Sequence, residues 1–163
     1  MTGCTTPRDG FGMVLELSPG MRAAFAEAEA AAIRGEVPVG AAITDPSGAV
    51  VATAGNRTRE LFDPTAHAEM LVIRETCRVV SSERLLGFDL HVTLEPCPMC
   101  AAAISAARLR RLYFGASDEK MGGVEHGARV FAASSCHHKP EVYSGIGAER
   151  AAEMLRAFFS AKR

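Results

Sequence analysis

Two short motifs, His67-Ala68-Glu69 and Pro96-Cys97-Pro98-Met99-Cys100, constrain the fold of this chain more than any other feature. One imidazole and two thiolates are typical zinc ligands, and a zinc site with three protein ligands keeps its fourth position open for water. Glu69 adds a carboxylate that need not bind the metal. The two motifs therefore predict a centre that makes hydroxide at neutral pH, and the fold has to bring them together.

Both motifs are predicted to lie at the N-termini of helices. Cys97 precedes a proline that suits a first helical position, so Cys100 falls in the first turn; His67 and Glu69 are placed in the first turn of an earlier helix. Unpaired N–H groups and the helix dipole favour thiolates there. Residues two apart do not face each other along a helix, but a metal beyond the helix end can be approached from both sides.

The rest of the chain alternates between helix and strand patterns, which predicts an α/β fold with a central, mixed five-stranded sheet. In chain order the sequence predicts a helix over 18–34 opened by Ser18-Pro19, strands over 37–44 and 49–54 joined by a turn, a helix that Thr65 caps, a strand over 90–94, a helix from Pro98, a strand over 112–115, a loop over 116–140, a short strand over 142–146 and a closing helix over 147–163.

Composition narrows the class of protein. The 163 residues, 48% hydrophobic and 23% charged, fit one domain, predicted over 18–163 after a poorly ordered leader over 1–17. No apolar run approaches the roughly 20 residues of a membrane span, and the first residues lack a secretory pattern. Five cysteines, an odd number with two used as thiolates, indicate a reducing cytoplasm.

The charge distribution leaves the partner open. A net charge of −1 argues against a protein wrapped in nucleic acid. Basic side chains nevertheless gather in two places, namely Arg108, Arg110 and Arg111, and Arg156, Lys162 and Arg163. They are either solvated groups on a helix face and tail or part of a surface that binds a polyanion.

The cysteine motif has two other interpretations. A redox dithiol also uses Cys-x-x-Cys, but the flanking prolines and the distant His-x-Glu fit a metal better. A closed structural zinc site could recruit a fourth ligand from His91 or from Cys136-His137-His138, and the adjacent trio is the more serious candidate. His126 has no better claim than an ordinary histidine.

The order of further segments resembles bacterial tRNA-specific adenosine deaminases, members of the cytidine-deaminase-like superfamily. The segments are EVPVGAAI, GNRTREL, DPTAHAE, VTLEPCPMCAAAI, RRLYFGASDEK and AFFSAKR, and they span roughly residues 18–163. The His-x-Glu and Pro-Cys-x-x-Cys motifs among them are the signature of zinc-dependent nucleobase deaminases. The resemblance implies a three-layer α/β/α domain, usually a homodimer, that converts the wobble adenosine of a tRNA anticodon to inosine.

The resemblance also implies roles for individual residues. His67, Cys97 and Cys100 would bind one zinc ion, Glu69 would shuttle protons, Asn56 would contact the base or its ribose, Phe158 and Phe159 would lie near the flipped-out base, and Arg156, Lys162 and Arg163 would lie near phosphates. Asn56 could instead merely finish a strand, and the two phenylalanines could belong to the core.

The substrate has alternatives, because deaminases of free guanine, cytosine or nucleosides share the zinc motifs. Segment 122–139 differs from the pattern of the tRNA enzymes and would neighbour the substrate. The chain could therefore deaminate a free nucleobase or nucleoside. A more remote alternative is a nucleic-acid-binding module with a structural zinc ion.

Overall fold

The structure, a computed structural model, describes residues 16–163, within which helices and strands alternate. The elements are α1 (Pro19–Ile33), β1 (Gly40–Thr44), β2 (Val50–Gly55), α2 (Ala68–Val80), β3 (Asp89–Leu94), α3 (Pro98–Ala106), β4 (Arg111–Ala116), β5 (Glu141–Tyr143) and α4 (Ala148–Ser160), with a 3-10 turn at Val130–Ala132. The predicted order is confirmed, although β1 begins and β5 ends three residues away from the predicted bounds. Residues 1–15 of the predicted leader lie outside the described residues.

The five strands form one mixed sheet in the order β2-β1-β3-β4-β5. β1 is antiparallel to β2 and β3, whereas β3, β4 and β5 run parallel. The carboxyl ends of β3 and β4 therefore meet at one edge of the sheet. The residues that follow these strands, Glu95 and Ser117 onwards, start from that edge, where ligand sites of parallel sheets form.

Helices cover both faces of the sheet. The main core lies between the sheet and α2 and α3, and its strand residues include Ile43, Leu90, Val92, Leu112 and Phe114. On the other face α1 and α4 pack together through a smaller core around Met21, Phe25, Ala116 and Ala151. This arrangement confirms the predicted three-layer α/β/α fold.

The start of α1 confirms one predicted cap and the start of α2 corrects another. The Ser18 hydroxyl accepts a hydrogen bond from the Met21 amide at 3.2 Å, as predicted. Thr65 does not cap α2, because its hydroxyl donates to the Asp63 carboxylate at 2.7 Å. The helix begins later, at Ala68, and His67 is its N-cap residue rather than part of its first turn.

Within residues 16–163, no helix combines the length and the apolar character that crossing a membrane requires.

Candidate active site

Three predicted ligands converge where α2 and α3 begin. The Nδ1 atom of His67 lies 3.6 Å from the Sγ atoms of both Cys97 and Cys100, and the three ligand atoms lie within 4.8 Å of one another. Tetrahedral zinc with ordinary Zn–N and Zn–S bonds separates a nitrogen from a sulfur by about 3.6 Å. The donor set and its spacing therefore fit a zinc ion.

No fourth histidine, cysteine or acid among residues 16–163 joins this cluster. Cys136 instead contacts Ser105 near the other end of α3, at 3.4 Å. The His138 imidazole donates through Nε2 to the Leu109 carbonyl at 2.6 Å. His91 contacts a threonine of β1. The predicted alternative of a structural site closed by these residues is not supported, and the fourth position is free of protein ligands from this part of the chain.

The two cysteines differ in acidity when no metal is present. Hydrogen bonds from Cys100 and His67 lower the pKa of Cys97 to about 4 despite burial. The hydrogen bond to Cys97, together with burial, raises the pKa of Cys100 far above its ordinary value. One thiolate therefore forms readily, and the second requires further positive charge nearby. A divalent cation supplies that charge, because a metal-bound thiol is deprotonated outright.

Glu69 lies in the first turn of α2 and is only 4% exposed. Burial raises the pKa of its carboxyl to about 7 in the metal-free site. A group that titrates near neutral pH can both accept and return a proton, which is what general acid–base chemistry requires. The side chain lies beside the ligand cluster, and its role as a proton carrier stays a prediction.

Asn56 caps the helix that carries His67 and Glu69. It follows β2 directly, and its Oδ1 atom accepts a hydrogen bond from the Ala68 amide at 2.8 Å. The side chain thus takes the place that the sequence assigned to Thr65. Its Nδ2 group makes no hydrogen bond within residues 16–163, so it is available to a substrate. Contact with substrate stays a prediction.

The predicted substrate contacts in α4 lie at its C-terminal end. Phe158 and Phe159 meet edge to face with ring centroids 5.3 Å apart, and the Lys162 ammonium lies 4.2 Å from the Phe158 ring centroid. Phe159 is half exposed and Phe158 partly buried. Neither ring belongs to the two main clusters of buried residues, and their role near a base stays a prediction.

Two of the three clustered arginines Arg108, Arg110 and Arg111 form ion pairs. Arg110 bonds to Asp89 at 2.7 Å and Arg111 to Glu141 at 2.9 Å. These contacts favour the interpretation of a solvated surface for these two residues. Arg156 lines a cleft between α4 and Ala116-Ser117, which places it near the edge of the sheet that carries the site.

Sequence reasoning missed Glu95, which lies between β3 and the cysteine motif. Its side chain is fully buried and accepts hydrogen bonds from backbone amides between Asp118 and His126. Burial acts to raise the pKa of Glu95, but these hydrogen bonds outweigh it and the pKa lies below its usual value. An acid directly after an apolar strand and before a ligand motif was the available signal.

Known proteins are similar to this chain in sequence and in fold. Residues 16–116 match the model of the cytidine and deoxycytidylate deaminase zinc-binding region. A tRNA-specific adenosine deaminase from Agrobacterium fabrum is 57% identical over 143 residues, 88% of this chain and 93% of the relative.

Solved structures extend the comparison. One from a study of A-to-I editing by tRNA:A34 deaminases at the wobble position has a TM-score of 0.81 at 57% identity, and the match covers 83% of this chain and 97% of the other. A guanine deaminase from Nitrosomonas europaea has a TM-score of 0.74 at 20% identity, covering 86% of this chain and 82% of the other, which shows a shared fold alone.

Proposed function

The chain belongs to the cytidine and deoxycytidylate deaminase family and, within it, to the tRNA-specific adenosine deaminases, and we propose that it hydrolyses the wobble adenosine of a tRNA anticodon to inosine and ammonia. The convergence of His67, Cys97 and Cys100 beside the buried carboxylate of Glu69 supports this most strongly. The high identity to relatives of that name over nearly the whole chain supports the choice of substrate.

Each residue of the cluster has a defined task in this proposal. His67, Cys97 and Cys100 hold one zinc ion per chain. Zinc, when bound, acts as a Lewis acid and lowers the pKa of a water ligand from about 15.7 towards 7. Glu69 accepts the water proton on its carboxylate and gives it to the purine ring nitrogen. The water oxygen forms a bond to the ring carbon that bears the amino group. Glu69 then carries the remaining proton of this oxygen to the amino nitrogen, the carbon–nitrogen bond breaks, and the products are inosine and ammonia.

Substrate binding in this proposal uses groups at the edge of the site. The Nδ2 group of Asn56 donates to the base or its ribose, since an amide can donate while its oxygen stays engaged with Ala68. Phe158 and Phe159 contact the flipped-out nucleotide region, with Arg156, Lys162 and Arg163 close to phosphates. We further propose that the active form is a homodimer and that it acts in the cytoplasm. Sedimentation velocity tests whether the chain is a dimer.

A substrate panel tests the proposal. Zinc-loaded protein is incubated with an anticodon stem-loop that carries adenosine at the wobble position, with the same stem-loop carrying guanosine there, and separately with free guanine, cytosine and adenosine. Inosine and released ammonia are both quantified. We expect ammonia and inosine in equal amounts from the first substrate only. Rapid ammonia release from a free base or nucleoside, with no inosine in the stem-loop, would assign the chain to the small-molecule deaminases instead.

A further inference from the structure

The Glu95 carboxylate collects five hydrogen bonds from one distant loop. Oε1 accepts from the amides of Val124, Glu125 and His126 at 3.3, 2.8 and 2.9 Å. Oε2 accepts from the Asp118 amide at 2.9 Å and contacts the His126 Nδ1 atom at 2.8 Å. We name residues 118–126 the rim loop. Glu95 therefore fixes both ends of the rim loop at once.

The rim loop also lies against the turn that supplies a zinc ligand. The Gly123 amide donates to the Pro96 carbonyl at 2.8 Å. A Cβ atom at Gly123 would lie 2.7 Å from the Cys97 carbonyl carbon and 2.5 Å from the Pro98 nitrogen, so no larger residue fits there. The loop follows β4, whose end adjoins that of β3. It consequently borders the ligand cluster.

Burial makes the Glu95 carboxylate dependent on the groups that hydrogen-bond to it. A fully buried carboxylate is unfavourable unless its oxygens are satisfied, and an apolar residue would often be at least as stabilising. Here nearly all of the compensation comes from the rim loop. The carboxylate and the loop conformation therefore depend on each other, and the loop has one position relative to Cys97.

The outer side of the rim loop is available to a large substrate. Lys120 and Met121 are exposed, Met121 by 67%, and the Asp118 carboxylate accepts hydrogen bonds from both of their amides. The rim loop also exposes two carboxylates, Glu119 and Glu125, so its net charge does not attract RNA. Lys120 and Met121, held on one turn, nevertheless offer an ammonium for a phosphate and a polarisable side chain for the face of a base.

We propose that Glu95 is a positioning residue for the reaction: it holds the rim loop at the edge of the zinc site, and the loop held in this way binds the RNA that surrounds the target adenosine. This inference rests on the proposed function. Removing acceptors from Glu95 should therefore weaken RNA binding more than it slows the chemical step.

The first experiment compares Glu95→Gln with Asp45→Asn. Gln keeps one acceptor oxygen but presents an NH2 group to the Asp118 amide. Asp45 is a matched control, since its carboxylate accepts amides of the β1–β2 turn at the opposite end of the sheet. We expect Glu95→Gln to speed amide exchange in the rim loop and raise KM for the stem-loop, each by about tenfold, as loss of a charge-assisted bond predicts. Zinc content stays at one per chain and kcat within about threefold; Asp45→Asn changes none of these.

A second pair of variants keeps the test decisive if Glu95→Gln does not fold. His126→Ala removes only the side-chain contact to Glu95 and should raise KM to a smaller extent, whereas His126→Gln offers a replacement donor and should restore it. The positioning role would be overturned if Glu95→Gln left both amide exchange in the rim loop and KM unchanged. It would also be overturned if kcat fell in proportion to a loss of bound zinc. A wild-type protein that makes no inosine would instead overturn the proposed function, and the exchange measurement would still decide whether Glu95 holds the loop.

Discussion

The Oδ1 atom of Asn56 accepts a hydrogen bond from the amide of Ala68 at 2.8 Å. Ala68 stands between His67 and Glu69, so this contact connects the end of β2 to the start of α2, where the proposed metal ligand and the proposed proton carrier lie. The metal ligand and the acid therefore depend on a side chain eleven residues or more away in sequence. This connection yields two separable predictions for position 56.

Asn56→Ala should lower both stability and activity. Loss of a helix cap costs about 1 kcal/mol of unfolding free energy, which urea denaturation measures. Asn56→Asp keeps an acceptor for the Ala68 amide and adds a negative charge at a helix N-terminus, where it is tolerated. We expect this variant to have near-normal stability. We expect its kcat/KM to be roughly tenfold lower, because the Nδ2 donor is gone. Equal activity in Asn56→Asp and wild type would remove Asn56 from the substrate site.

Local signals explain what the sequence could predict about the site. The placement of Cys97 and Cys100 at a helix start was predictable because its two signals, the intervening proline and the ligand spacing, both lie within residues 97–100. The cap of α2 could not be predicted from local signals. The nearest hydroxyl, that of Thr65, donates to the Asp63 carboxylate, and the capping side chain is Asn56, which follows β2. The loop over 116–140 was predicted, but its attachment to Glu95 was missed, because the backbone amides that bind this carboxylate carry no side-chain signature.

The zinc ligands can be tested by metal content. Cys100→Ser should reduce bound zinc from one per chain to well below half at equal total zinc, because a hydroxyl is a far weaker ligand than a thiolate. Cys136→Ser is the matched control and should keep the full amount, since Cys136 contacts Ser105 away from the cluster. Atomic absorption of dialysed protein gives the numbers. Zinc lost from Cys136→Ser and retained by Cys100→Ser would contradict the assigned ligands.

His91 should make stability depend on pH. The imidazole is buried against Thr44 and stacks on Tyr113, and burial lowers its pKa to about 4 even though Asp89 acts in the opposite direction. The unfolded chain takes up this proton near pH 6.5 and the folded chain only near 4. His91 therefore does not change the free energy of unfolding above pH 6.5, and it lowers this free energy by about 3 kcal/mol as the pH falls to 4.

The measurement for His91 is a difference between two proteins. Urea unfolding of the wild type and of His91→Asn is measured at several pH values from 4 to 8. The difference between the two curves isolates the contribution of His91 to the pH dependence from that of the carboxylates. The wild type should lose more stability on acidification than the variant. Parallel curves for both proteins would show that the imidazole is not kept neutral by the fold.

Phe159 provides a test of the surface at the end of α4. The ring is half exposed, so Phe159→Ala should change unfolding free energy by less than about 1 kcal/mol. If the ring stacks on a base, KM for the stem-loop should rise by roughly 5- to 150-fold, since such stacking contributes about 1–3 kcal/mol. Ile33→Ala, at an apolar side chain that is 88% exposed at the end of α1, should leave KM unchanged. Equal KM values for both variants would exclude base stacking at Phe159.

Glu69→Gln tests the central claim most directly. The variant is expected to bind one zinc ion per chain, because Glu69 is not a ligand, and to fold with the same stability or slightly better, because a buried acid is replaced by a neutral group. Inosine at the wobble position of the stem-loop is quantified under single-turnover conditions for both proteins. We expect complete conversion by the wild type and at least a thousandfold slower conversion by zinc-loaded Glu69→Gln. Comparable rates from the two proteins, at equal zinc content, would contradict the account.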